Sequence, residues 1–203
     1  MEIDHFVVAA NTLEDACRYV ENCLGVTLQD GGKHEKFGTH NRLLKLNEKI
    51  YIEAIAIDPM GHNPHIPRWF NLDNFSGGPR IINWVCRCKN LDKTLSNLKI
   101  NFTQPLNMKR GTLNWRITIR SDGVLPYDGA FPSLIQWKGN EHPCDHLKSL
   151  DLNLNHVLIT HPEAKKLNTA LKPVLDKRVL IKEDRDASLS LSLGTPTGNR
   201  HLR

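Results

Sequence analysis

The stretch GTHNRLLKL at residues 38–46 has a counterpart, GTLNWRITI, at residues 111–119. Gly, Thr and Asn occupy the same places in both stretches, and apolar residues alternate with polar ones behind them. Such alternation is typical of a β-strand with one buried face. The recurrence indicates that one supersecondary unit is written twice in this chain.

The segments around the two stretches repeat in the same order. IDHFVVAANTLEDACRYV (residues 3–20) aligns without a gap with IINWVCRCKNLDKTLSNL (residues 81–98), and IYIEAIAI (residues 50–57) corresponds to PSLIQWKG (residues 132–139). Each long segment reads as a buried strand, polar residues and then a helix. Together the segments predict a β-α-β-β-β module that occurs twice.

The predicted modules leave two further regions. We assign residues 1–57 to the first module and 80–140 to the second, and a weaker β-α-β-β(-β) pattern predicts a third unit over residues 150–203. The third unit alternates strictly in ASLSLSLGT, which is typical of a half-exposed hairpin, so it should dock on the first two modules or on a second chain. Residues 58–79 contain Trp69 and Phe70 and are too apolar for a solvated tether, so we expect an ordered loop lying over the fold, across the mouth of any cavity there.

Composition excludes several classes of protein. The 203 residues are 39% hydrophobic and 24% charged, as in an ordinary globular domain. The net charge of +5 is spread along the chain and interleaved with acidic residues, so we predict no nucleic-acid partner. No apolar run is long enough for a membrane helix and the N-terminal residues lack a basic signal-peptide region, so we expect no membrane partner and a cytoplasmic location.

The repeated module resembles the vicinal oxygen chelate superfamily, which includes glyoxalase I, methylmalonyl-CoA epimerase, extradiol dioxygenases and bleomycin-resistance proteins. Several segments are similar to its glyoxalase-like branch, and the similarity extends over nearly the whole chain. These segments are IDHFVVAANTLEDA, GTHNRLLKL, YIEAIAIDP, PRWFNLD, LIQWKGNEHP and GTPTGNRHL. The resemblance implies an α+β fold in which the paired βαβββ modules form a curved mixed sheet around a cavity, with the third βαβββ-like unit at the C-terminal end.

The resemblance also implies metal ligands on the first and last strand of each module. Carried over, these positions are His5 and Glu53 in the first module, and Asn83 and Gln136 in the second. An imidazole and a carboxylate are ordinary ligands for Zn, Mn, Ni or Fe, whereas Asn83 stands where relatives often have His. One hypothesis is therefore a divalent metal held by His5, Glu53 and Gln136. The alternative is a buried hydrogen-bonded network of His5, Asn83 and Gln136 around Glu53 without a metal. An extradiol dioxygenase is not expected, because its iron needs two His and a carboxylate.

Other polar and aromatic residues are candidates for substrate contact. His40 and Arg42 alternate on one face of their strand, where the second module has Leu113 and Trp115, so they are candidates for polarising or clamping an anionic oxygen. A surface position for both is the competing interpretation. Trp69, Trp115, Gln136 and His142 are candidates for substrate binding, the last because it directly follows a strand.

These features predict a small-molecule enzyme of the lyase or isomerase type, which moves a proton next to a carbonyl with or without a divalent metal. Glu53 or His40 would move the proton. The alternative is a protein that binds and sequesters a hydrophobic compound, as bleomycin-resistance proteins do, with tryptophans as stacking surfaces. Either protein could close its cavity within one chain or between the two chains of a homodimer.

Overall fold

The structure is a computed structural model that describes residues 1–47, 49–98, 105–172 and 176–203. Glu48, residues 99–104 and residues 173–175 of the predicted modules lie outside the described residues. None of the described helices is long and apolar enough to cross a membrane.

The first module has the predicted order of elements. They are β1 (Glu2–Ala9), α1 (Leu13–Leu24), β2 (Gln29–His34), β3 (Thr39–Lys45) and β4 (Tyr51–Ile57). Thr12 caps α1 by accepting a hydrogen bond from the backbone N–H of Asp15, and Gly25 ends the helix with a φ of 71°. The buried face of α1, which includes Val20 and Leu24, packs on one side of the sheet.

The second module repeats this order. Its elements are β5 (Arg80–Arg87), α2 (Leu91–Asn97), β6 (Leu106–Arg110), β7 (Leu113–Ile117) and β8 (Ser133–Lys138). In both modules the first strand lies parallel to the last, β1 beside β4 and β5 beside β8. The prediction of a duplicated βαβββ module is confirmed.

The two modules share one mixed sheet of eight strands in the order β2-β3-β4-β1-β5-β8-β7-β6. The first strands, β1 and β5, join the modules by antiparallel pairing. The sheet curves until its two edge strands, β2 and β6, approach each other, so it is nearly barrel-shaped. The curvature creates an inner face that both modules line.

The third unit has the same element order but a different arrangement of strands. Its elements are β9 (Asn153–Thr160), α3 (Ala164–Leu171), β10 (Val179–Lys182), β11 (Ser188–Thr195) and β12 (Gly198–Leu202). They form a separate sheet in the order β10-β9-β11-β12, in which the first strand lies between the second and the third rather than beside the last. The unit docks on the first two modules, with β12 against α1 and β11 against β5. It therefore completes the outer core and does not extend the curved sheet.

Apolar side chains form a core on each face of the curved sheet. On the outer face, Phe6, Ile52 and Trp84 pack with α1 and with the third unit. On the inner face, Val7 and Ile55 pack with residues of the second module and with Trp69 from the 58–79 segment. Trp69 and Phe70 are buried inside the curve of the sheet. These two residues of the segment therefore cover part of the inner face.

Candidate active site

A cavity of about 20 Å³ lies on the inner face, where the polar residues of the first module meet aromatic residues of the second. This volume is about that of one water molecule. The polar lining residues are His5, His34, Asn41, Tyr51, Glu53 and Arg110. The apolar lining residues are Trp69, Phe70, Trp115, Ile117, Ile135 and Trp137. All the polar residues except Arg110 come from the first module, so the two modules line the cavity with different kinds of side chain.

His5 and Glu53 face each other in this cavity. Nε2 of His5 lies 3.6 Å from Oε2 of Glu53, and both side chains are buried. The His5 ring also stacks on Tyr51, with 4.5 Å between the ring centroids. Burial raises the pKa of the Tyr51 hydroxyl well above its ordinary value, and the negative charges of Asp4 and Glu53 raise it further. Tyr51 therefore stays neutral and fixes the orientation of the imidazole by stacking.

Asp4 contacts His5 on the side of the imidazole that faces away from Glu53. The pairing of β1 with β5 shifts register between Ile3 and His5, so Asp4 is the additional residue of a β-bulge. Its side chain consequently joins that of His5: Oδ1 of Asp4 lies 2.7 Å from Nδ1 of His5. Burial alone would raise the pKa of Asp4, but hydrogen bonds from His142 and His5, and their charges, hold it far below the usual range. Because an ionised carboxylate only accepts, Nδ1 of His5 carries a proton and Nε2 faces the cavity.

The other carboxylate oxygen of Asp4 accepts two further hydrogen bonds. Oδ2 accepts hydrogen bonds from Trp137 Nε1 at 2.9 Å and from His142 Nε2 at 3.1 Å. His142 in turn accepts the backbone N–H of Cys144 at Nδ1, which leaves its Nε2 as the donor. His142 therefore stands one layer behind the cavity, where it supports Asp4. This placement differs from the direct substrate contact expected for His142.

Asn41 is the corresponding support for Glu53. Its Nδ2 donates a hydrogen bond to Oε1 of Glu53, while its Oδ1 accepts the backbone N–H of Gly32 at 2.8 Å and Nη1 of Arg110 at 3.1 Å. These three contacts show which end of the side-chain amide is the donor Nδ2 and which is the acceptor Oδ1. Asn41 thus orients the carboxylate so that Oε2 is the oxygen turned to His5.

The strand preceding Asn41 is shaped by two adjacent glycines. A Cβ on Gly31 would overlap the amide and carbonyl oxygens of Asn41, and a Cβ on Gly32 would lie 2.9 Å from Cδ of Arg110. The register of β2 against β3 also shifts here, between Asp30 and Gly32. The two glycines therefore leave space for the Asn41 side chain and for the path of Arg110 into the cavity.

Other predicted residues lie outside the cavity. The register of β3 with β4 places Leu43 opposite Glu53 and Arg42 opposite Ala54, so Arg42 and His40 are on the outer face. Arg42 pairs there with Asp30 at 3.1 Å. His40 lies 4.0 Å from Asp58, and burial lowers the pKa of its imidazole. The structure does not bring either residue to Glu53.

Gln136 also faces away from the cavity. It lies opposite Arg116 in the β7–β8 pair, while its neighbours Ile135 and Trp137 face inwards. Its side chain accepts the backbone N–H of Leu91 at 3.1 Å and donates to the carbonyl of Lys89 at 3.0 Å, so it holds the start of α2. Of the predicted site residues, the cavity brings together His5, Glu53, Trp69 and Trp115.

Comparison with known proteins places the chain in a family. The model of the glyoxalase-like domain family matches residues 3–175, which is most of the chain. The chain belongs to the glyoxalase-like domain family. It is thereby a member of the vicinal oxygen chelate superfamily, as the sequence resemblance predicted. No curated protein matches the chain by sequence.

Three solved structures are similar to this glyoxalase-like chain, and one of them has a TM-score above 0.5. A hypothetical protein from Staphylococcus aureus has 14% identity and a TM-score of 0.65, with 92% of this chain and 87% of that chain covered. Methylmalonyl-CoA epimerase from Mycobacterium tuberculosis has 20% identity and a TM-score of 0.48, with 69% and 89% covered. The Streptomyces coelicolor epimerase in complex with 2-nitronate-propionyl-CoA has 15% identity and a TM-score of 0.46, with 70% and 99% covered. At these identities the similarity concerns the fold alone.

The family resemblance implies a divalent metal, and the side chains present do not fit one. Val7 lies opposite Glu53 in β1–β4, and its counterpart Val85 lies opposite Ser133 in β5–β8. Ser133 is therefore the second-module equivalent of Glu53 by register. It donates to Oδ1 of Asn83 at 2.9 Å, and Nδ2 of Asn83 donates to two loop carbonyls, so this pair satisfies itself.

The remaining donors are too few for a tightly held metal. His5 and Glu53 each offer one atom, whereas Nε2 of His34 accepts a hydrogen bond from Arg110, whose cation also lines the cavity. In the described part of the chain, no group of three or more His, Cys, Asp and Glu side chains is arranged to hold a metal ion. Glu53 belongs to a buried polar network in which Asn41 donates to it and His5, supported by Asp4, faces it, whereas Asn83 and Gln136 bind other partners.

Besides Tyr51, sequence reasoning missed four polar residues of this glyoxalase-like site. Asp4 was hidden because a regular strand would turn it away from His5, and only the bulge brings the two side chains together. His34 and Arg110 come from the edge strands β2 and β6, whose approach is a property of the closed sheet. Asn41 recurs as Asn114 in the second module, and this recurrence indicates a structural role such as a local backbone contact. That role fits its counterpart Asn114, which donates to the carbonyl of Thr112 at 2.9 Å.

Proposed function

We propose that this glyoxalase-like protein is a small-molecule enzyme of the isomerase or lyase type that moves a proton on a carbon next to a carbonyl. The observation that carries the proposal is the buried pair of His5 Nε2 and Glu53 Oε2, 3.6 Å apart at the edge of a cavity. Both atoms are acceptors when His5 is neutral, and neither has another described hydrogen-bond partner. Two facing acceptors of this kind are suited to receiving and sharing a proton.

Each side chain has a role set by its contacts. Glu53 is the base, because Asn41 binds its Oε1 and leaves Oε2 to face the substrate. His5 accepts the proton from Glu53 at Nε2 or returns it to another carbon, since Asp4 holds its Nδ1–H and stabilises the imidazolium that forms. Trp115, Ile135 and Trp137 exclude water from the same space, which strengthens the electrostatic interactions there. The chemistry uses side chains alone.

Substrate entry requires the 58–79 segment to move. The cavity of about 20 Å³ is smaller than any carbon substrate with a carbonyl. Trp69 closes it, stacked between Phe37 and Phe70 and hydrogen-bonded through Nε1 to Thr39 at 3.3 Å. Phe70 and Asn71 have φ values of 56° and 55°, a conformation that costs non-glycine residues free energy. We propose that this segment opens to admit the substrate and closes over it.

The sequestering alternative has less support. A protein that binds aromatic compounds by stacking needs free aromatic faces on an open cavity. Here Trp69 stacks on the rings of Phe37 and Phe70. Trp115 packs against Trp137, with 5.4 Å between their ring centroids. The polar network of Asp4, His5 and Glu53 would also contribute nothing to holding a hydrophobic compound.

Exchange of carbon-bound hydrogen with solvent deuterium tests the proposed enzyme. Small ketones, aldehydes and 2-oxo acids are incubated with the protein in ²H₂O and followed by ¹H NMR. We expect exchange next to the carbonyl in at least one compound, and a loss of about 100-fold or more in Glu53→Gln, since a general base contributes that much. The matched control is Glu35→Gln, which neutralises an exposed glutamate on a turn outside the cavity. Unchanged exchange in Glu53→Gln, or no exchange in any compound, overturns the proposal.

A further inference from the structure

Arg110 is the cation of the cavity, and it reaches there from the far edge of the sheet. It is the last residue of β6, and its side chain passes Gly32 on the opposite edge strand. Nη1 lies 3.1 Å from Oδ1 of Asn41 and 3.2 Å from Nε2 of His34. The guanidinium therefore bridges the two edges where the curved sheet nearly closes.

Both partners of Arg110 are uncharged. Asn41 offers an amide oxygen, and burial lowers the pKa of His34 well below its ordinary value, with the charge of Arg110 adding to the effect. No carboxylate of the described residues forms an ion pair with Arg110, and its Nε and Nη2 make no hydrogen bond within the same residues. By contrast, Arg116 on the next strand binds both oxygens of Asp92 at 2.8 Å.

A guanidinium with unused N–H donors beside a cavity is typical of a site that binds an anion. A guanidinium has a fork of N–H donors that matches the two oxygens of a carboxylate. The unused donors of Arg110 belong to a side chain that lines the same cavity as His5 Nε2 and Glu53 Oε2. A ligand that spans the cavity would thus place an anionic group on Arg110 and a carbon near Glu53.

We infer that the cavity takes a small carboxylate with a neighbouring carbonyl, a 2-oxo acid or a close derivative, whose carboxylate binds Arg110. The position of the reacting carbon rests on the proposed function, whereas the carboxylate contact rests on Arg110 alone. A monoanion is favoured over a phosphate dianion, because the buried carboxylate of Glu53 lines the same cavity as Arg110 and repels a second negative charge more strongly than a single one.

Isothermal titration calorimetry with pyruvate, pyruvamide and inorganic phosphate tests the inference. Pyruvamide keeps the size and the carbonyl of pyruvate and lacks its charge. We expect pyruvate to bind the native protein with a Kd about tenfold or more below those of pyruvamide and phosphate, since a charge-assisted bidentate contact is worth that much. Equal binding of pyruvamide, tighter binding of phosphate, or no binding of pyruvate and 2-oxobutyrate at millimolar concentration overturns it. This comparison needs no variant.

Variants then locate the contact. Arg110→Gln should weaken pyruvate binding about tenfold or more, Arg110→Lys should recover part of the loss, and Lys109→Gln should leave it unchanged. Lys109 is an exposed neighbour on the same strand, so its variant removes the same charge outside the cavity. Native-like binding by a folded Arg110→Gln overturns the inference. Carboxylate-selective binding without deuterium exchange supports the inference and contradicts the proposed function. Glu53-dependent exchange in neutral ketones, without carboxylate-selective binding, supports the proposed function and contradicts the inference.

Discussion

Nε2 of His5 lies 3.6 Å from Oε2 of Glu53 at the centre of the curved sheet. Each side chain has a further buried partner, a carboxylate for His5 and an amide for Glu53. Asp4 fixes His5, and Asn41 fixes Glu53. Both supporting residues are buried and in contact with further elements, through His142 and Trp137 on one side and through Gly32 and Arg110 on the other. The contacts of Asp4 and Asn41 within the curved sheet therefore fix the geometry of the pair.

Asp4→Asn should destabilise the fold strongly. The carboxylate of Asp4 accepts from His5, His142 and Trp137, and an amide would turn an NH₂ group towards at least one of these donors. We expect a loss of about 3–5 kcal/mol in the free energy of unfolding, measured by urea denaturation, because one partner of a buried charged network is removed. Asp92→Asn, which breaks the exposed pair with Arg116, should have a much smaller effect. Equal losses in the two variants would contradict the role of Asp4.

Asn41→Ala and Asn114→Ala compare the same position in the two modules. Asn41→Ala removes the donor to Glu53 and the acceptor of Gly32 and Arg110, and leaves a buried carboxylate oxygen unpaired. We expect a cost of about 1–3 kcal/mol in the free energy of unfolding and, in the deuterium-exchange assay, a lower rate. Asn114 makes only a contact with the backbone of Thr112, so its variant should keep the exchange rate. Equal effects of the two substitutions would show that Asn41 has no specialised role.

The architecture was predictable because it depends on patterns that repeat. The strand, helix and turn signals of residues 3–57 recur in residues 81–139, and local patterns of this kind survive in the folded chain. The arrangement of the third unit was not predictable in the same way. Its element order is that of the modules, yet β9 pairs with β10 and β11, a choice set by packing against α1 and β5.

The site was predictable only in part, because faces and registers depend on tertiary structure. Alternation shows that successive residues of a strand face opposite sides of the sheet, but it does not show which side is the inner one. On β3 the pattern therefore allows either Arg42 or Leu43 to face inwards. The family resemblance also implied Gln136 as the second-module counterpart of Glu53, although the strand registers match Ser133 with Glu53. His5 and Glu53 were indicated by the family resemblance, and for Glu53 the burial of a carboxylate in an apolar strand also indicates a partner.

Gly31→Ala tests whether the glycine pair of β2 shapes the site. A Cβ at Gly31 would overlap two atoms of Asn41, so either the strand or the Asn41 side chain must shift. We expect a loss of about 1–3 kcal/mol in thermal or urea unfolding and reduced exchange, as for overpacking at other rigid positions. Gly78→Ala is the matched control, because a Cβ there meets no atom within 4 Å. Native stability and activity in Gly31→Ala would mean that Asn41 does not need its present position.

His34→Gln should change how stability depends on pH. Burial and the adjacent Arg110 lower the pKa of His34 well below its ordinary value, so the folded protein keeps this imidazole neutral. The unfolded chain takes up the proton below about pH 6.5, and the group therefore destabilises the fold progressively as the pH falls below that value. We expect the native protein to lose about 1–2 kcal/mol more stability between pH 7 and pH 5 than His34→Gln does, measured by urea unfolding at each pH. His65→Gln, which replaces an exposed histidine of the 58–79 segment, should follow the native profile. A His34→Gln profile parallel to the native one would show that the unfolded chain gains no proton at this position relative to the folded protein, and that Arg110 does not face a neutral imidazole.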